Sequence, residues 1–268
     1  MRTGIAYTVS AFIVCLWLSA ATVRAQESES STNSTPVIPT HANPPLNRDV
    51  SWRQLPMNFL RDQKEIWLFP RTVAEGHHWK PTIAVVGVTG ALIAADPHDA
   101  PYFRRTANFE DFNSAFSGTN TSILMAMVPG GLYGIGLLRR SSYSQKTALF
   151  AGEAVLDTTV LQVAMKAASH RYRPSDIAPT GKFSDTFFQR QRIASSSFPS
   201  GHALDAFAIA TVIARRYPSY HWMPWLAYGI AGAIGFSRIT LQSHFLSDVF
   251  VGAALGYSVS RFAVLRDQ

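Results

Sequence analysis

Charge and cysteine are the two scarcities of this chain. Charged residues fill 15% of its 268 positions, against roughly 25% in an ordinary soluble domain. That deficit favours an all-apolar interior or contact with a bilayer over a conventional hydrated globule. The single cysteine, Cys15, falls in a segment read below as removed on export, so the mature chain carries no thiol. Disulfides and thiolate metal sites are then excluded. Runs of basic residues are lacking too. The formal charge is +7 at pH 7, but no stretch has the density of a nucleic-acid footprint, and nucleic acid is not expected as a partner. An anionic lipid or a phosphorylated substrate suits the positive excess better.

What is present begins with an address label. Arg2, an apolar stretch from Ile5 to Ala21, and Val23-Arg24-Ala25 before Gln26 follow the order of a secretory signal peptide, assigned to residues 1–25. An uncleaved anchor helix is the alternative. Losing Arg2 and Arg24 with the signal leaves a formal charge of +5. Residues 26–50 are polar and proline-bearing, with little to bury, and are expected to form a flexible leader. The functional domain is then 51–268, where 47% hydrophobic content over the whole chain is enough for one full core. The protein is expected to be exported, periplasmic or membrane-associated, with its site on the extracytoplasmic side.

From residue 51 onward neither strand alternation nor a short repeat is found. Apolar, small-residue-rich segments instead succeed one another near 55–75, 82–95, 121–138, 147–168, 202–216, 222–241 and 245–265. This predicts an all-α bundle of about six core helices. Glu153, Asp157 and Asp205 lie inside these segments, and Pro129-Gly130-Gly131 is expected to cut one of them. A membrane span wants about 20 apolar residues, so a soluble or peripherally attached bundle is expected in preference to an integral one.

Three short stretches carry chemistry. In "KAASHRYRP", Lys166 and Arg173 are two helical turns apart and lean to one side, with Pro174 ending the helix. Taken alone, this is a basic helix C-terminus complementing its dipole. In "SSSFPSGHALDAF", Pro199-Ser200-Gly201 forms a tight turn whose unpaired N–H groups make an anion site at a helix mouth, with His202 in the first turn. Alone, it is equally a serine N-cap beside an incidental histidine. In "SRITLQSHFLSDVF", His244 and Asp248 are spaced to share a helix face, so the carboxylate would accept Nδ1–H and free the Nε2 lone pair. Alone, they are also a buried pair satisfying each other.

Together, Lys-x6-Arg-Pro, Pro-Ser-Gly-His and Ser-Arg-x5-His-x3-Asp occur in that order on successive helices. The set resembles the three-part signature of the type 2 phosphatidic acid phosphatase and vanadium haloperoxidase superfamily, with no departure at the motif positions, and implies the acid phosphatase/vanadium haloperoxidase-like helical fold. It also implies a metal-independent phosphatase, without cofactor, acting on a phosphomonoester or pyrophosphate through a phosphohistidine. By that resemblance His244 is the nucleophile, Asp248 fixes its tautomer, and His202 is the general acid and then base. Lys166, Arg173 and Arg238 clamp the phosphate, with Ser200 and the Gly201 amide as neutral donors. A lipid phosphate is favoured over a soluble ester. The alternatives are a vanadate-dependent haloperoxidase and a catalytically silent membrane-associated bundle. The connection 175–198 is read as a pocket rim, where Lys182, Arg190 and Arg192 guide an anion and Phe187-Phe188 touch a lipid tail, or as an ordinary solvated loop. His77, His78 and His98 lack the companions a metal site needs.

Overall fold

Proline, serine and glycine punctuate this chain into helices. The computed structural model describes residues 48, 50–106 and 108–266, so the signal peptide and nearly all of the leader lie outside the described residues. Helix α1 spans Leu55–Ala74 and has Pro56 in its first turn, where the missing N–H costs nothing. Helix α2 spans Trp79–Arg105, and the short α3 spans Glu110–Ala115. Helix α4, Gly118–Leu138, starts at Ser117, whose hydroxyl accepts the Asn120 N–H; α5, Ser142–Ser169, starts likewise at Ser141. Helices α6 (Gly201–Arg216), α7 (Met223–Thr240) and α8 (Leu246–Val259) follow, and α8 runs into a π-turn over Ser260–Val264. Among the described residues there is no strand.

Two boundaries differ from expectation. Pro129-Gly130-Gly131 does not cut α4, which runs through Pro129 unbroken. A proline removes one ladder bond and leaves the others intact, and Pro97 and Pro101 are carried inside α2 in the same way. Helix α5 stops at Ser169 before Pro174 is reached, because His170 takes a left-handed φ of 40°.

The core lies around α6. Its Ala203, Leu204, Ala208 and Val212 are fully buried, and it packs against α5, α7 and α8. Close approach depends on glycine at two points. A Cβ on Gly252 would come within 2.5 Å of the Ser200 carbonyl oxygen, and one on Gly256 would overlap the Leu204 carbonyl. These two glycines, one turn apart on α8, let the backbones of α6 and α8 touch.

The chain thus passes between the two ends of the bundle in α2, α4, α5, α6, α7 and α8. One end, called here the motif end, gathers the connections 106–117, 170–200 and 241–245. At the other, His78 before α2 lies 5.8 Å, ring to ring, from Phe262 after α8. Outward-facing side chains are apolar along several helices: Ile83, Val86 and Val88 on α2, Ile123, Met127 and Leu137 on α4, and Leu156 and Val163 on α5 are exposed. By length and composition Gly118–Leu138 and Ser142–Asp176 could each cross a membrane, and only 22% of the first one's most apolar stretch is buried.

Candidate active site

His244 lies in the connection before α8, not on the helix as its spacing from Asp248 suggested, because α8 begins at Leu246. Its Nδ1 is 2.7 Å from the carbonyl oxygen of Ser197. A carbonyl only accepts, so Nδ1 carries the proton and Nε2 keeps its lone pair. The expected partner, Asp248, is 3.7 Å from Nδ1, beyond hydrogen-bond distance. Its Oδ2 instead caps the Phe245 N–H at 2.9 Å, and its Oδ1 accepts from Arg171 at 2.6 Å. Asp248 therefore acts on His244 as a nearby charge, and the tautomer is set by backbone. Burial holds the His244 imidazole below its ordinary range, Arg173 and Lys166 push the same way, and Asp248 opposes them. Burial would raise the Asp248 carboxyl, but Arg171 and His244 outweigh it and hold it below the carboxylate range. The result is a neutral imidazole beside an ionised carboxylate.

His202 is in the first turn of α6. Its Nε2 lies 3.3 Å from the Gly118 carbonyl and 3.2 Å from the Ser122 hydroxyl, both at the start of α4. Burial, then the charge of Arg238, bring its pKa down to about 4; the Gly118 carbonyl pulls weakly upward, and His244 and Lys166 add to the depression. Without an anion this imidazole is neutral at neutral pH.

Three cations approach these two rings from different elements. Lys166 lies in the last turn of α5, where its carbonyl accepts the His170 N–H at 3.1 Å. Arg173 was expected on the same helical side as Lys166, but the early stop of α5 puts it in extended chain, where its Nε donates to the Ser195 carbonyl at 3.2 Å. Arg238, buried at the end of α7, donates to Ser237 Oγ from Nε and Nη2, and also to the Phe116 carbonyl. Phe116 is held there by its stack on Phe112, which packs on Phe236 of α7.

Ser200 is the clearest vacancy in this hydrogen-bond network. Its hydroxyl is wholly buried and has no partner among the described residues, and it does not cap α6. Its N–H, expected to be open to an anion, is taken by the Asp248 carbonyl at 3.0 Å, which leaves the open amides to the helix itself from Gly201 onward. A Cβ on Gly201 would meet the Gln162 side-chain amide, which would have to swing aside.

Two residues escaped the sequence reading. Arg171, inside the first motif stretch, is 1% exposed and pairs with Asp248 and with Asp96 of α2, each at 2.6 Å. An aspartate in the apolar run of α2 and a second arginine in "HRYRP" were the signals available. The connection 175–198 is tied down by backbone bonds, Tyr172 N–H to Thr186, Phe188 N–H to Ser169 and Ser197 N–H to Arg171, the last at 2.8 Å. Of its five singled-out residues, Phe187 lies over the Arg171 guanidinium at 4.4 Å, while Phe188, Lys182, Arg190 and Arg192 are exposed. Among the described residues no group of three histidine, cysteine or acidic side chains could hold a metal.

Residues 147–267, which contain all three motifs, match the PAP2 superfamily. A lipid A 1-phosphatase of Porphyromonas gingivalis is 40% identical over 80 residues, covering 30% of this chain and 18% of that protein. A lipid A 1-phosphatase of Rhizobium etli is 33% identical over 126 residues, covering 44% and 53%. The chain therefore spans about half or less of the length of these relatives. The crystal structure of a transmembrane PAP2-type phosphatidylglycerolphosphate phosphatase from Bacillus subtilis aligns with a TM-score of 0.41 and 23% identity, over 76% of this chain and 94% of that one. Motifs in the right order, meeting around one histidine inside the matched segment, make residues 147–267 of this chain similar to the PAP2 superfamily.

Proposed function

We propose that the protein is a membrane-associated phosphatase that hydrolyses the phosphate ester or anhydride of a lipid, with its site on the extracytoplasmic side. The observation that carries this reading is the pairing of a lone pair on His244 Nε2 with a cationic surround and the unpartnered Ser200 hydroxyl. Lys166, Arg173 and Arg238 screen the charge of the phosphoryl group, and Ser200 Oγ donates to one of its oxygens. Nε2 attacks phosphorus in line, forming the N–P bond as the bond to the leaving oxygen breaks. Nδ1 keeps its proton on the Ser197 carbonyl, so the ring becomes a phosphorylated imidazolium facing Asp248. His202 protonates the departing oxygen, then takes a proton from water, whose oxygen attacks phosphorus and releases His244 and phosphate. Binding of a phosphate dianion raises the depressed pKa of His202, so substrate itself brings the acid into its protonated form.

A lipid is favoured on two grounds. Apolar side chains on α2, α4 and α5 face outward, and the two relatives are named for a phosphate carried on lipid A. The export signal read in residues 1–25 supports the extracytoplasmic side. Detergent-purified protein should release phosphate from phosphatidic acid or lipid A, and should trap a ³²P-labelled, acid-labile phosphoenzyme. His244→Ala should lose both. His202→Ala should fall by about 10²- to 10⁴-fold on alkyl esters and much less on a nitrophenyl ester, whose leaving group needs no proton. Turnover by His244→Ala, or equal losses on the two esters with His202→Ala, would refute these assignments.

A further inference from the structure

We infer that Asp96, contributed by α2 from outside the family-matched segment, is a positioning residue for His244: it holds Arg171 in place and neutralises it, so that Asp248 keeps its charge for the imidazolium formed in turnover. For its effect on turnover this rests on the phosphatase reading above. Three observations carry it.

The first is geometric. Arg171 joins Asp248 and Ser197, the two groups that face His244 Nδ1. Its Nη1 donates to Asp248 Oδ1 and to Ser247 Oγ, both at 2.6 Å, and its Nη2 to Asp96 Oδ2 at 2.6 Å. Its carbonyl receives the N–H of Ser197, the residue whose own carbonyl fixes the His244 tautomer. Phe245, next to His244 in the chain, lies 4.0 Å from the guanidinium carbon.

The second is the anchoring of Asp96 itself. It is 1% exposed, and besides Arg171 it accepts the Ser247 hydroxyl at 2.5 Å and the Ser247 N–H at 3.3 Å. One carboxylate thus locks both the guanidinium and the first turn of α8, which bears Asp248.

The third is charge. Arg171 and Asp248 alone would cancel, leaving little negative potential at His244. Burial raises the Asp96 carboxyl and the Arg171 ion pair opposes this; with Asp96 ionised on that guanidinium the trio is net negative, which matches the single positive charge that the ring acquires on attack. His244 otherwise faces cations: Lys166 from α5 and Arg173 from the connection after it, with His202 of α6 and, beyond it, Arg238 of α7.

The test compares Asp96→Asn, Arg171→Gln and the double variant as full chains in detergent. Two readouts are taken: kcat and KM on the best lipid phosphate, and the titration of His244 by ¹⁵N NMR. Asp96→Asn should lower kcat by about 10- to 100-fold while moving KM less than about threefold. It should also shift the His244 titration to lower pH by roughly one unit, since a negative charge is lost nearby. Added to Arg171→Gln, the same substitution should lower kcat no further, because Asp96 positions His244 through the guanidinium, whereas the titration should still fall with the lost charge. An unchanged kcat or titration in Asp96→Asn, or losses of kcat that multiply in the double variant, would overturn the inference. If Asp96→Asn alone fails to fold, the comparison of the double variant with Arg171→Gln, where no unpaired guanidinium remains, still decides it. If the wild type hydrolyses no phosphoester, the proposed function fails, while the His244 titration still reports on Asp96.

Discussion

Because Ser197 offers only a carbonyl oxygen to Nδ1 of His244, the proton on that nitrogen does not depend on the ionisation of Asp248. Tautomer and charge, which one carboxylate provides in a serine-protease triad, are here divided between backbone and side chain. Sequence alone suggested the histidine and the aspartate but not this division, since a carbonyl leaves no trace in residue type. Arg171 was hidden for a related reason: its partner Asp96 lies far along the chain, in a run that reads as apolar helix. The two histidines also set a pH dependence of stability. His202 has its pKa brought from 6.5 to about 4 by folding, so between those values the unfolded chain binds more protons than the native one. Stability therefore rises with pH across that window and is lost on acidification. The melting temperature should fall between pH 6.5 and 4, and His202→Gln should make that fall shallower. An identical slope in the variant would show that His202 does not titrate low.

At the scale of helices, the site depends on how closely α6 and α8 approach. The Ser200 N–H bonded to the Asp248 carbonyl joins the second motif to the third across that contact. Gly252 and Gly256 permit it, and the alanines of α6 leave no bulk to hold the helices apart. Gly256→Ala places a methyl group against the Leu204 carbonyl, where backbone must move. We expect a loss of about 1–3 kcal/mol of stability, read as a lower melting temperature, and reduced activity because Ser200 and His202 shift relative to His244. A variant with wild-type melting temperature and activity would show that the contact is not needed. Helix number and span were legible from apolar spacing and caps, because each helix is a local event. Where helices end was less so: α4 ran through Pro129, and α5 stopped early at a left-handed histidine. A proline forfeits only one ladder bond, and a left-handed histidine has no signature in residue type.

At the scale of the molecule, the outward apolar side chains of α2, α4 and α5 need a partner that water cannot be. The expectation of a soluble or peripheral bundle was built on scattered charges, yet Glu153 and Asp157 are buried inside the bundle, not displayed on its surface. Fractionation should find the protein in membranes, released by detergent and retained through a high-salt wash; recovery in the wash would argue for peripheral attachment. Threading adds a constraint of parity. His78 meets Phe262 at the end away from His244, so an even number of passes separates the entry of the chain into the bundle from its exit. Were every pass from α2 onward to cross the bilayer, the pocket would face the side opposite the His78 end, so an extracytoplasmic pocket would put the His78 end in the cytosol. Cleavage of a non-permeant ester by intact spheroplasts would then mean that the His78 end is cytosolic, or that the helices rest on the outer leaflet without traversing it. One sidedness assay on whole cells thereby bears on depth of insertion as well as on orientation.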